Sequence, residues 1–224
     1  MVMNEKIWAD VDRYYCEKLI PADTALDAAL ADSAKAGLPA IHVSPNQGKF
    51  LHLLARMQNA RRILEIGTLG GYSTIWMARA LPLGGSLLTL EADARHAEVA
   101  RVNIARAGLA GVVELRVGRA ADTLAALVAA REEPFDFIFV DADKSGLPDY
   151  FDFALKLSRM GTAIVFDNVV REGEVIRADS TDSSVRGVRQ LNEKLSASRR
   201  VSATVVQSVG VKGYDGFSLA LVTG

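Results

Sequence analysis

Residues 62–73 read RILEIGTLGGYS. The apolar run Ile63–Ile66 breaks into a glycine-rich turn, and a helix candidate begins near Tyr72. A strand, a tight turn and a helix in that order form the first unit of a nucleotide-type α/β sheet. The turn is not a P-loop, because no Lys-Ser/Thr pair follows its glycines. It is not G-x-G-x-x-G either, since the glycines run G-x-x-G-G. Glu65 beside the turn disfavours a pyrophosphate and suits a cationic ligand group. A turn that needs small residues only for packing explains the loop alone equally well.

Reading outward, the same alternation repeats. Short apolar runs lie at Leu87–Leu90, Val112–Val117, Phe135–Val140 and Ala163–Phe166, with helix candidates beginning near Ala94, Ala120 and Leu147. Runs apolar nearly throughout are expected of strands buried on both faces. The pattern predicts an α/β fold: a doubly wound, Rossmann-like, mostly parallel sheet with right-handed crossovers. Past Asn168 a polar loop (REGEVIRADSTDSS) precedes a helix marked by Val185, Val188, Leu191 and Leu195. Two closing strands, Val201–Val209 and Phe217–Val222, joined by the turn GVKGYDG, predict an antiparallel hairpin. Before the sheet, Ile7, Val11, Tyr14, Tyr15 and Leu19 share one helical face. Asp23 can cap a second helix, and Ser44-Pro45 with Gln47 reads as the capping box of a third. The expectation is one domain over 1–224, with 1–60 a helical cap and 61–224 the α/β core.

The chain has 224 residues, Lys+Arg 26 against Asp+Glu 27, a net charge of −1 and half its residues apolar. A chain this long buries roughly 70% of its unfolded surface and needs no disulfide or metal to fold. One cysteine, Cys16, excludes an internal disulfide framework and fits a reducing compartment; on the first helix it reads as a buried apolar filler. Balanced charge speaks against nucleic-acid binding, and no apolar run is long enough to span a membrane. The N-terminal stretch MVMNEKIWADVDRYY lacks a signal-peptide core. The expected location is the cytoplasm.

Ligands of open parallel sheets lie beyond the carboxyl ends of the strands. Glu91 ends the second strand about 20 residues past the glycine turn, the place of an acid that hydrogen-bonds a ribose diol. Turn and acid together favour an adenosine-type ligand without choosing between NAD and S-adenosylmethionine. The fourth and fifth strands end in Asp141-Ala142-Asp143-Lys144 and Asp167-Asn168. Neighbouring strands would bring Asp141, Asp167 and Asn168 side by side, an oxygen-only set for a hard cation such as Mg2+. Any one of them alone reads as a turn cap. Lys144 on the same rim could act as a base. The acids Glu132, Glu133, Asp136, Asp141, Asp143, Asp149 and Asp152 give this region a local negative excess around Lys144. His42, His52 and His96 show no ligand spacing and read as surface or packing residues away from these strand ends. No G-x-S-x-G elbow surrounds Ser73 or Ser145, which counts against an α/β-hydrolase.

The segments LEIGTLGGYST, LEAD, VDADK and VFDNV, with VSPNQG (Val43 to Gly48) before them and Asp215-Gly216 after, resemble the cation-dependent O-methyltransferases of the catechol and caffeoyl-CoA type. The resemblance covers essentially the whole chain. It implies a metal site of Asp141, Asp167 and Asn168, and Lys144 as base. It also implies an S-adenosylmethionine pocket of Val43, Glu65, Gly67, Thr68, Ser73, Glu91, Ala120 and Asp141, with Glu91 on the ribose and Ala120 near the adenine. A homodimer is implied too. The chain departs from the plant pattern after Asn168, where it reads VVREGEV instead of a Leu-Trp sequence. Arg171 and Glu172 thus stand in substrate-side positions, and residues 177–184 and the helix around Trp8 are expected to shape the acceptor pocket.

The expected reaction is methyl transfer from S-adenosylmethionine to one hydroxyl of a vicinal aromatic diol, assisted by Mg2+, with Mn2+ or Ca2+ as alternatives. A 5-hydroxyuridine tRNA methyltransferase is the second reading, with Arg61/Arg62 and Arg199/Arg200 as its possible basic patch. An NAD-dependent reductase lacks the Tyr-x-x-x-Lys pair. A non-enzymatic scaffold would leave the Asp141/Asp167/Asn168/Lys144 cluster without purpose.

Overall fold

A computed structural model describes residues 5–224. The first four residues, part of the stretch read above for a leader segment, lie outside them. Seven strands form one sheet: β1 (Arg62–Ile66), β2 (Ser86–Glu91), β3 (Val113–Val117), β4 (Phe135–Val140), β5 (Ser158–Asp167), β6 (Val201–Gly210) and β7 (Gly213–Val222). Their order is β3-β2-β1-β4-β5-β7-β6. The first five are mutually parallel; β7 runs antiparallel to both β5 and β6. The doubly wound sheet with a terminal hairpin is therefore present.

Alternation along the strands divides the core in two. Ile63, Leu87, Phe137, Phe139 and Val165 point to one face, under α2 (Thr24–Lys35), α3 (Pro45–Met57), α4 (Tyr72–Ala78) and α5 (Ala94–Arg106). Leu64, Ile66, Leu90, Ile138, Val140 and Phe166 point to the other. There they meet α6 (Ala120–Ala129), α7 (Leu147–Lys156) and α8 (Ser183–Ala197). Every residue of β4 is buried, as a central parallel strand requires. Strand β3 departs from that expectation: it is the sheet edge, and none of its residues is fully buried.

Three local expectations need correction. The closing hairpin turns tightly at Val211-Lys212, and Tyr214, Asp215 and Gly216 already belong to β7. The apolar stripe of α1 (Glu5–Leu19) is not buried: Ile7, Val11, Tyr14, Tyr15 and Leu19 are each about half exposed or more. Cys16, on the same helix, is half-buried and not a core residue. Among the described residues, no helix is long and apolar enough to cross a membrane.

Candidate active site

The carboxyl ends of the central strands open into one cavity of about 730 Å³. Its floor is the turn after β1. Gly67 there has φ +100°, and a Cβ would stand 2.2 Å from the Asp141 carbonyl oxygen, so no other residue fits this close approach. Leu69 adopts φ 50°, the left-handed region that costs a non-glycine residue of order 1 kcal/mol or more. Glu91 holds it there. Its Oε2 accepts the Leu69 N–H at 2.7 Å and the Thr68 N–H at 3.2 Å, while Oε1 accepts the Asp93 N–H at 2.9 Å. Glu91 thus builds the loop and also lines the cavity.

Glu65 is fully buried behind this wall. Its Oε1 accepts the Ser73 hydroxyl at 2.6 Å, and its Oε2 accepts the hydroxyls of Thr89 at 2.7 Å and of Thr74. Burial pushes the Glu65 carboxyl up to about 7 against the pull of these three donors, and the charge of Asp141 adds to the rise. Val43, Gly67, Thr68, Ser73, Glu91, Ala120 and Asp141 all reach the cavity, whereas Glu65 reaches it only through Ser73.

At the other end of the cavity the expected cluster assembles. Val140 pairs with Phe166 in the β4–β5 register, so Asp141 and Asp167 leave the sheet as neighbours. Lys144 Nζ donates to Asp141 Oδ1 at 2.8 Å and is itself buried. Asp143 folds the turn that carries Lys144, accepting from Gly146 N–H at 2.8 Å and from the Tyr150 hydroxyl at 2.6 Å. Helix α8 presses on this turn through Gly187, where a Cβ would lie 2.1 Å from the Lys144 carbonyl oxygen. Asp167 is buried and accepts the Asn168 N–H at 2.9 Å and Gln47 Nε2 at 2.7 Å. Burial, then the charge of Asp141, raises the Asp167 carboxyl above its ordinary range, with the Lys144 ammonium pulling it back. Asn168 holds φ 53°, a strained conformation that belongs with functional sites.

Among the described residues no group of three His, Cys, Asp or Glu could hold a metal. The donor set here is two carboxylates and a carboxamide. Such a set suits Mg2+, which takes few protein ligands and keeps waters. The mutual repulsion of Asp141 and Asp167 is the kind that added positive charge relieves, so the residues fit a hard divalent cation.

Sequence reasoning missed several neighbours. Gln47 does not close a capping box: Ser44 Oγ accepts the Gln47 N–H at 3.2 Å, but the Gln47 side chain goes to Asp167. His42 and His96 line the cavity, and His96 Nδ1 lies 3.6 Å from Glu91 Oε1; only His52 is a packing residue as expected, its Nδ1 3.1 Å from the Trp76 carbonyl oxygen. Glu132 and Glu133 pair with Arg62, and Asp136 pairs with Arg159, at the opposite end of β4. They do not surround Lys144, and Arg62 is not available to a basic patch. Arg171 lines the cavity; Glu172, Trp8 and residues 177–184 do not.

Comparison with known proteins agrees with this geometry. The O-methyltransferase family model matches residues 22–221. The chain is 55% identical over 220 residues to a catechol O-methyltransferase of Niastella koreensis, covering 98% of this chain and 100% of that one. An O-methyltransferase from Bacillus cereus, solved in complex with S-adenosylhomocysteine, superposes with a TM-score of 0.97 at 56% identity, covering 98% and 100% of the two chains. TomG from Streptomyces achromogenes, solved with S-adenosylmethionine, superposes with a TM-score of 0.96 at 51% identity over 100% of both. The chain thus belongs to the O-methyltransferase family, as an S-adenosylmethionine-dependent enzyme.

Proposed function

We propose that the enzyme methylates one hydroxyl of a small vicinal aromatic diol, with a divalent cation, Mg2+ first, held by Asp141, Asp167 and Asn168. The observation that carries this reading is the Lys144–Asp141 pair at 2.8 Å beside Asp167, on the same cavity as Ser73 and Glu91. The name of the Niastella koreensis relative supports the diol. A bound cation supplies positive charge that favours ionisation of a phenol whose ordinary pKa is near 10.

The chain's own residues do the rest. Glu91 takes the ribose hydroxyls of S-adenosylmethionine, Ala120 borders its adenine, and Val43 and Ser73, the latter held by Glu65, border its methionine end. Gly67 and Thr68 let the backbone approach it. Lys144 Nζ, as the neutral amine, takes the proton of the acceptor hydroxyl; the oxygen then bonds to the methyl carbon as that carbon's bond to the sulfonium sulfur breaks, releasing S-adenosylhomocysteine. Holding the two reactants together contributes several kcal/mol of the acceleration.

The same proposal takes the whole chain as one catalytic unit, working as a homodimer in the cytoplasm. The uncovered stripe of α1, together with the exposed Val205, Val206 and Val209 of β6, offers the apolar surface a second copy would bury. No observation favours the tRNA reading. The test is release of S-adenosylhomocysteine from catechols, with a hydroxyuridine tRNA as the control acceptor; turnover of the tRNA alone would overturn the proposal.

A further inference from the structure

Arg171 is a guanidinium on the cavity wall whose side chain makes no hydrogen bond among the described residues. It lies three residues past Asn168 and shares the cavity with Lys144 and Asp141. Its Nε is buried and has no hydrogen-bond partner among the described residues. Its Nη1 stands 3.8 Å from Asp215 Oδ2, beyond hydrogen-bond reach. Asp215 Oδ1 accepts the backbone N–H groups of Val170, Arg171 and Gly216 at 2.9, 3.0 and 2.9 Å, and its Oδ2 faces Arg171 in that loose ion pair. Asp182 also feels the Arg171 charge.

The backbone beneath it is strained. Arg171 and Glu172 hold φ values of 54° and 56° in succession. Two consecutive non-glycine residues in the left-handed region are a strained arrangement. The Asp215 carboxylate on β7 fixes this conformation from below. A long cationic side chain held on a strained, anchored turn, with donors left unused, is preorganised for an anion.

We propose that Arg171 selects acceptors that carry a carboxylate, so that the preferred substrates are acidic vicinal diols and not neutral or cationic ones. The inference rests on the methyl-transfer reading above. The diol end of the acceptor lies at Asp141, Asp167 and Lys144, and its carboxylate takes the Arg171 donors in a charge-assisted, planar pair.

The test compares kcat/KM for protocatechuate and for its uncharged methyl ester, in the wild-type enzyme and in Arg171→Met and Arg171→Lys. In the wild type the acid is favoured over the ester by about tenfold or more, the usual worth of a hydrogen bond to a charged group. That ratio shrinks as salt is raised, falls about tenfold in Arg171→Met and is partly kept in Arg171→Lys. Each ratio is taken within one protein, so a general loss of folding or activity cancels. A wild-type ratio of one or below overturns the inference while leaving methyl transfer to diols intact. A ratio unchanged in Arg171→Met also overturns it, because Arg171 then serves only the turn. Absence of methylation on both diols removes the inference together with the reading beneath it.

Discussion

Gln47 Nε2 donates to Asp167 Oδ2 at 2.7 Å, a contact between the first turn of α3 and the end of β5 across 120 residues of sequence. One carboxylate oxygen of Asp167 is thereby fixed by the helical cap, and the other by the Asn168 N–H. The cap therefore helps aim a proposed metal ligand.

Replacing Gln47 by Ala removes that donor without touching the cation. Partners that orient a metal ligand are typically worth about 10- to 100-fold in metal affinity. The concentration of Mg2+ giving half-maximal activity is expected to rise about tenfold in Gln47→Ala, with the S-adenosylmethionine Kd within a few-fold of wild type. Titration of activity with Mg2+ and calorimetry with the cofactor check both halves.

Lys144→Met leaves Asp141 Oδ1 without its 2.8 Å partner and the acceptor without a base. Loss of a general base costs about 10²- to 10⁴-fold. A kcat drop in that range is expected, with the cofactor still bound; steady-state kinetics beside S-adenosylhomocysteine binding measures it.

Glu65 gives a pH signature. Its folded pKa of about 7 lies above the ordinary 4.5. For an acid raised on folding, the stabilisation is complete below the unfolded pKa and is lost as pH rises through the folded one. Wild-type stability should therefore fall between pH 4.5 and about 7 by up to about 3 kcal/mol from this group. Glu65→Gln cannot ionise, so its denaturation midpoint is expected to exceed that of wild type above pH 7 and to lose the advantage below pH 5. Urea unfolding across pH decides; parallel curves for the two proteins would contradict the assignment.

Much of this was legible in sequence, and the rest failed for physical reasons. The glycine turn, Glu91 and the strand-end acids are local patterns, and strand register alone brings Asp141 to Asp167. Gln47 satisfies a helix-start pattern and a long-range contact with the same side chain type, and sequence spacing shows only the first. Glu132, Glu133 and Asp136 sit within a few residues of Asp141 in the chain. A six-residue strand still carries them about 20 Å away. The α1 periodicity announces an apolar face but not what covers it, and here that face stays about half exposed while Asp12 ties the helix to Asn46 and Val211.

That face yields its own prediction. On the proposed homodimer, a charge placed at Tyr14 or Val205, as in Tyr14→Glu or Val205→Lys, should shift the protein toward monomer, since burying an unpaired charge in an interface is costly. Analytical ultracentrifugation reads the change. An unaltered sedimentation coefficient in both variants would place the dimer contact elsewhere.

Cation-assisted methyl transfer to an aromatic diol at Asp141, Asp167, Asn168 and Lys144 is tested by S-adenosylhomocysteine release from S-adenosylmethionine and catechol, in excess EDTA and after Mg2+ is restored. Turnover is expected to be abolished by EDTA, regained with Mg2+, and not regained in Asp141→Ala or Asp167→Ala. Full turnover in excess EDTA would contradict it.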